Sequence, residues 1–182
     1  MTARVDVLTD GYAGDRVAST VTLIRDGDAV IVVDPGMVAD RSAILDPLAA
    51  FGVRVSNVTD VVFSHHHPDH TLNAALFPDA RFHDHWAIYQ GDRWEDRDAD
   101  GFDISAAVHL MATPGHTAQD ISTLAETVSG LVVLTHLWWH ADGPEVDPLA
   151  EDLDLLQANR DKVLRQRPAL IIPGHGSPFA PR

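Results

Sequence analysis

Three apolar runs in this chain stop at a histidine. Val58–Ser64 leads straight into His65, Ala107–Ala112 into Thr113-Pro114-Gly115-His116, and Ala169–Ile172 into Pro173-Gly174-His175-Gly176. Runs of this length, rich in β-branched residues and bounded by Gly and Pro, predict strands. Loops at strand ends are where a rigid scaffold presents chemistry to solvent. Any one of these histidines fits an inert, exposed loop position; it is the set that carries the signal.

The remaining patterning fills in the fold. Ser19–Arg25 and Ala29–Asp34 flank Asp26-Gly27-Asp28, a hairpin signal. The second run, Ala29-Val30-Ile31-Val32-Val33, is so uniformly apolar that both faces of its strand should be covered. Arg41–Phe51 predicts a helix, with Pro47 an awkward member, and Thr71–Leu76 predicts another. Ala80–His83, Ile121–Glu126 and Leu131–Leu134 predict strands. Leu149–Gln166 predicts the longest helix, with Leu153, Leu156, Val163 and Leu164 on one apolar face. Strand-rich halves carrying helices predict an α/β chain with two sheets sandwiched between helices, one domain over residues 1–182.

Composition narrows the chemistry. The chain of 182 residues has no cysteine, which excludes disulfides and thiolate ligands. A transition-metal site must then use His and carboxylates, a set that suits zinc, iron or manganese. No run of 18 apolar residues appears, and Met1–Asp6 carries no basic segment followed by an apolar stretch. No membrane association is expected, and the expected location is cytoplasmic. The formal net charge is −14, and Lys162 is the only lysine. Such a chain repels phosphate backbones, so no nucleic acid is expected as partner and a small-molecule substrate is.

His65-x-His67-x-Asp69-His70 puts three imidazoles and one carboxylate within six residues. That density suits a divalent metal bound without any thiol, with His66 a neutral neighbour. Together with Asp34-x-Gly36, Thr113-Pro114-Gly115-His116-Thr117 and Pro173-Gly174-His175-Gly176, in that order along the chain, the sequence resembles the metallo-β-lactamase superfamily. Within it, Asn73…Leu76-Phe77-Pro78 and Ile172–Phe179 resemble the small metallo-β-lactamase domain-containing protein 1 group.

The resemblance implies an αββα sandwich with a site along one edge of the two sheets. It implies one metal on His65, His67 and His116 and a second on Asp69, His70 and His175, with zinc the expected metal, one or two ions, and iron or manganese the alternatives. Asp69 would bind metal and orient the attacking water, which makes it the expected catalytic residue. Asp34 has two readings: a carboxylate that orients a ligand, or a turn-forming residue before Pro35-Gly36.

The pattern breaks once. The family usually closes a strand with Gly-Asp between the third and last His motifs, and that Asp bridges the metals. Here the strand Leu131–Leu134 runs into Thr135-His136-Leu137-Trp138-Trp139-His140. Ungapped, His136 stands at the Gly and Leu137 at the Asp. Three readings follow: His136 is a ligand end-on to the second metal beside Asp69, His70 and His175; the site is mononuclear; or catalysis has been lost. Of Trp138 and Trp139, one is expected at the site mouth and one in the core. Trp86, Tyr89 and Trp94 are candidates for another wall, while His83, Asp84, His85 and His109 read as structural or peripheral.

The expected function is a metal-dependent hydrolase acting on an ester, thioester, lactone or phosphoester. A mononuclear iron oxygenase on His65, His67 and His116 is the alternative enzyme, and a non-catalytic metal-binding protein the alternative of another class.

Overall fold

The structure is a computed structural model and describes residues 2–181. Fourteen strands are named in chain order: β1 (Arg4–Thr9), β2 (Tyr12–Ala13), β3 (Val17–Ala18), β4 (Val21–Asp26), β5 (Ala29–Val33), β6 (Asp60–Val62), β7 (Arg81–His83), β8 (Ala87–Gln90), β9 (Arg93–Asp96), β10 (Asp103–Ser105), β11 (Val108–Ala112), β12 (Ile121–Thr127), β13 (Gly130–Thr135) and β14 (Leu170–Pro173). The helices are α1 (Ser42–Ala50), α2 (Pro68–Thr71) and α3 (Leu153–Arg165), with single 3₁₀ turns at Val55–Asn57 and Ala74–Leu76. One sheet has the order β1-β4-β5-β6-β7-β8-β9, the other β10-β11-β12-β13-β14, and β2 pairs only with β3.

Three apolar layers hold these parts together. Ile24, Ile31, Val33 and Val62 from the first sheet meet Val108, Leu110, Ile121, Val132, Leu134 and Ile172 from the second. On the outer face of the first sheet, Leu23, Val32, Val61 and Phe63 pack against Ile44 and Leu48 of α1. On the outer face of the second, Met111, Val133 and Leu137 pack against Leu156 and Val163 of α3. This is the expected order of helix, sheet, sheet, helix. In β5, Ile31 and Val33 face the partner sheet while Val32 faces α1, so the strand is covered on both sides as its uniform apolar run requires.

Several boundaries differ from expectation. The expected Leu149–Gln166 helix starts at Leu153, because the Asp152 carboxylate accepts the Leu155 N–H at 2.9 Å and caps it. The expected Thr71–Leu76 helix is instead the end of α2 and a separate 3₁₀ turn. Asn73 interrupts it: its side-chain amide donates to Gly36 O at 2.6 Å and its side-chain oxygen accepts from Arg41 Nε at 2.9 Å. Helix α1 runs through Pro47. Strands β1, β2, β3, β8, β9 and β10 were not among the expected elements.

The sheets meet along a seam. The Ile121 N–H donates to Ser64 O, and the Thr20 N–H to Gly174 O, both at 2.8 Å. The seam lies where β6, β11, β13 and β14 end, next to every histidine of the predicted cluster.

Candidate metal centre

After β6 the chain turns through His65, His66 and His67 into α2, whose first residue is Pro68, a position where a missing N–H costs nothing. Asp69 and His70 therefore sit in the first turn of α2. Gly36 fixes how closely this turn approaches the first sheet: a Cβ there would stand 1.6 Å from Asp69 O. His116, His136 and His175 come from the loops after β11, β13 and β14.

The donor atoms converge as two groups. His67 Nδ1 lies 2.9 Å from His65 Nε2 and 3.1 Å from His116 Nε2. Asp69 Oδ2 lies 3.5 Å from both His70 Nε2 and His175 Nε2. Separations near 3–3.5 Å are what ligands on one ion show when each bond is about 2.0–2.1 Å. The expected pairing of six residues into two trios is thus present in the geometry.

Four of the five buried rings of the cluster are held from behind. His65 Nδ1 faces Ser64 Oγ at 3.0 Å, His70 Nδ1 faces Asp34 Oδ2 at 2.8 Å, His116 Nδ1 faces Asp147 Oδ2 at 2.8 Å, and His175 Nδ1 faces Ala18 O at 2.8 Å. At His70, His116 and His175 the partner is an obligate acceptor, which fixes Nδ1 as the N–H and leaves Nε2 its lone pair. Burial, reinforced by the neighbouring imidazoles, holds His65 and His136 well below the usual imidazole value and lowers His67 and His175. For these four the shift is toward the neutral imidazole, the form that binds metal.

Asp34 resolves in favour of the orienting carboxylate. Its other oxygen accepts the Ser64 N–H at 2.7 Å, and its backbone sits at φ +52°. That left-handed conformation is strained for a non-glycine residue and is retained where surrounding contacts demand it.

His136 departs from its expected register, while its expected neighbours His70 and His175 are beside it. Leu137, expected at the carboxylate position, is buried in the α3 layer. His136 itself points into the cluster, with Nε2 at 3.1 Å from His175 Nε2. A ring nitrogen of His136 lies within 4.8 Å of the donor atoms of His65 and His116, and likewise of those of His70 and His175. It stands between both trios rather than beside the second alone. Gly174 makes the space, since a Cβ there would fall 2.4 Å from His136 Cδ2.

The aromatics divide. Trp139 faces the site, 5.9 Å from the His175 ring, and Trp138 turns away to Phe179 and Arg160, the expected split. Trp86 abuts His66 at 5.3 Å. Tyr89 and Trp94 stack on each other at 5.4 Å and on to Phe82, along the far edge of the first sheet, so they form no wall of the site. His83 and Arg81 both bind Asp60, at 2.8 and 2.7 Å, while Asp84 holds Trp86 N, Ala87 N and the His66 ring. His109 binds Asp103 at 2.6 Å and His140 is exposed.

Sequence reasoning missed Asp147. Its carboxylate accepts from His116 Nδ1, Trp139 Nε1 at 3.0 Å and Leu149 N at 2.9 Å. Burial raises its pKa, but those hydrogen bonds outweigh it and the net shift is downward. Asp120 behaves oppositely: burial pushes it up to about 6 despite the Thr117 N–H and hydroxyl it accepts.

The donor set fits a divalent transition metal. It is nitrogen-rich, includes the Asp69 carboxylate and has no thiol, and both His70 Nε2 and His136 Nδ1 are buried without a hydrogen-bond partner, a costly arrangement for polar atoms that face only protein.

Residues 14–175 match the metallo-beta-lactamase superfamily. The chain belongs to that superfamily. It is 33% identical over 194 residues to metallo-beta-lactamase domain-containing protein 1 of Xenopus laevis, covering 96% of this chain and 80% of the relative. The human protein of that name is 35% identical over 157 residues, which cover 82% of this chain and 59% of that protein; the chain thus matches about three fifths of the human relative. Among solved structures, a metallo-beta-lactamase-like protein of Thermotoga maritima superposes with TM-score 0.78 at 20% identity, over 100% of both chains. A quorum-quenching N-acyl homoserine lactone lactonase gives 0.70 at 18% identity, over 96% of this chain and 91% of that one. A chemotaxis sensor whose structure holds a peroxy diiron species also gives 0.70 at 18% identity, over 98% and 86%. At these identities the superpositions establish the metallo-beta-lactamase fold.

Proposed function

We propose that this chain is a cytoplasmic metal-dependent hydrolase that acts on a small ester, thioester, lactone or phosphoester. The observation that carries the reading is the pair of donor trios, His65/His67/His116 and Asp69/His70/His175, in which His70, His116 and His175 each have an acceptor behind Nδ1 and turn Nε2 inward. Held by these residues, a zinc ion would supply an activated water at neutral pH and Lewis-acid polarisation of a substrate oxygen. The protein's share is orientation. Asp69, only partly buried beside both trios, is the group placed to orient the attacking water. Trp139 lies against the His175 ring and the exposed His66 against Trp86, which makes these aromatics the candidates for substrate contact. The likeness to a lactone lactonase supports a carbonyl substrate over a phosphoester. The likeness to a protein with a diiron species favours iron as the second metal reading.

Metal analysis of the purified protein, an absorbance spectrum and turnover of an ester, thioester, lactone and phosphodiester panel test this together. The expected result is at least one zinc per chain and turnover of one class. Both should be lost in the His65→Ala/His67→Ala double variant, with the fold retained because the ligands lie on loops above the core. Protein that holds no metal and takes none up on titration would refute the reading. An iron-type absorbance band would replace zinc by iron.

A further inference from the structure

The first sheet ends in a row of aromatic rings whose last place is open. Phe63, at the end of β6, stacks on Phe82 of β7 at 5.9 Å, Phe82 on Tyr89 of β8 at 5.5 Å, and Tyr89 on Trp94 of β9 at 5.4 Å. Each ring covers a face of the one before it. Trp94 stands on the terminal strand of the sheet and is 59% exposed, with no ring stacked beyond it among the described residues. The backbone of that strand is open too. The Arg97 N–H donates to Trp86 O at 2.8 Å. Hydrogen-bonded pairs alternate along an antiparallel ladder, so the next ones are Glu95 with Ile88 and Arg93 with Gln90. Trp94 and Asp96 therefore turn their N–H and C=O away from β8. All four residues of β9 are exposed, and the Arg93 and Glu95 side chains have no hydrogen bond or ion pair among the described residues.

An open edge strand is a template for another strand. Two copies related by a two-fold axis pair antiparallel with one residue opposite itself, because opposed residues share a face and a hydrogen-bonding state. With Arg93, Glu95 or Asp96 at the centre, a charge would face its own copy. With Trp94 at the centre, Arg93 lies across from Glu95 of the second copy, twice, on one face of the sheet. On the other face the two Trp94 rings meet, and the aromatic row runs through both copies. The outward N–H and C=O of Trp94 then bond reciprocally. We propose that β9 is a self-complementary edge through which two copies of this chain dimerise, with Trp94 on the two-fold axis. The register also sets Asp92 across from Asp96 of the second copy, a like-charge contact at each end that weakens the pairing. With four residues a side, the association is expected in the micromolar range. The metal centre takes no part in it.

The test follows the full chain by sedimentation velocity over a concentration series. Wild type is expected to pass from monomer to dimer in the micromolar range. Arg93→Glu and Glu95→Arg each bring like charges together and are expected to weaken dimerisation about tenfold or more. Mixed in equal amounts, the two variants are expected to associate at least as tightly as wild type, since one then carries only carboxylates at these two positions and the other only guanidiniums. Added salt should weaken that association. Both side chains are exposed and unpaired, so the fold is expected to stay intact, as circular dichroism would check. A second variant does not depend on charge. Trp94→Cys gives a cysteine-free chain one thiol on the axis, where the Cα atoms of a hydrogen-bonded antiparallel pair lie about 5.5 Å apart, within disulfide reach. Oxidised with diamide, it is expected to cross-link into dimers much faster than Ser129→Cys, on the exposed turn between β12 and β13. Wild type that stays monomeric throughout, a dimer indifferent to Arg93→Glu, variants that fail to associate when mixed, or equal cross-linking of the two thiols would each overturn the proposal.

Discussion

Asp147 does for His116 what Asp34 does for His70: a buried carboxylate takes the ring's outer N–H and leaves the inner nitrogen its lone pair. Asp147→Asn keeps the shape but can offer an N–H where an acceptor is needed, which favours the tautomer with the proton on the metal-facing nitrogen. Zinc affinity, measured against a competing chelator, is expected to fall about 10- to 100-fold with little change in the unfolding midpoint; unchanged affinity would show that Ser64, Asp34 and Ala18 suffice to orient the cluster. Of the seven predicted ligands, His65, His67, Asp69 and His70 share one short motif in which spacing implies proximity, while His116 and His175 were expected from the resemblance of their Pro-Gly-His loops. Asp147 was not, because 31 residues separate it from His116 and nothing in Gly143-Pro144-Glu145-Val146-Asp147 marks a contact that only the fold creates. His136 was legible as a candidate, while its register was off by one: ungapped counting cannot see that Leu137 is needed in the α3 layer, which turns His136 toward the metals.

At the scale of elements, β13 and the loop after it carry both His136 and Asp147, and α3 holds that loop in place. Arg160 of α3 donates to Leu137 O at 2.8 Å, Glu145 O at 3.2 Å and Pro144 O at 3.4 Å, and its guanidinium lies 5.6 Å from the Trp138 ring. Arg160→Met keeps the aliphatic stem and strips the buried carbonyls of their donor. The variant is expected to lose about 2–3 kcal/mol of stability by urea unfolding and to bind metal less tightly, because His136 and Asp147 ride on the released loop. A variant as stable as wild type would show that the Leu137 layer alone fixes the loop. The apolar strands were legible from composition, since their runs are buried on both faces. The edge strands were harder: β9 is exposed along its whole length and β10 has three residues, so neither shows the alternation that burial of one face imprints.

For the whole molecule, the buried histidines set how stability responds to acid. His65, His67, His83, His136 and His175 all lie below the ordinary 6.5, with burial the largest cause in each. A histidine whose folded value is depressed gives its full stability above about pH 6.5 and loses it as the pH falls, because the unfolded chain takes up the proton first. Asp120, raised to about 6 from 3.8, has the opposite sign: its penalty is full above 6 and is relieved on acidification. Five groups oppose one, so the melting temperature of the metal-free protein is expected to fall steadily from pH 7.5 to 5. A flat or rising trend in calorimetry would show that the imidazoles are solvated. The charge of −14 makes a second expectation for the intact chain: single-stranded RNA binds weakly, with little dependence on salt. Nanomolar binding that falls steeply with salt would point to a basic groove instead. Finally, each donor trio spans the seam between the sheets: His65, His67, Asp69 and His70 come from the first, and His116 and His175 from the second. An ion held there is a clasp between two halves of the molecule, and at a free concentration a hundredfold above its Kd it adds about 2.7 kcal/mol to the folded state. A cell short of that ion would hold a looser molecule, more readily cut by proteases, so scarcity would be read out first in how long each copy survives.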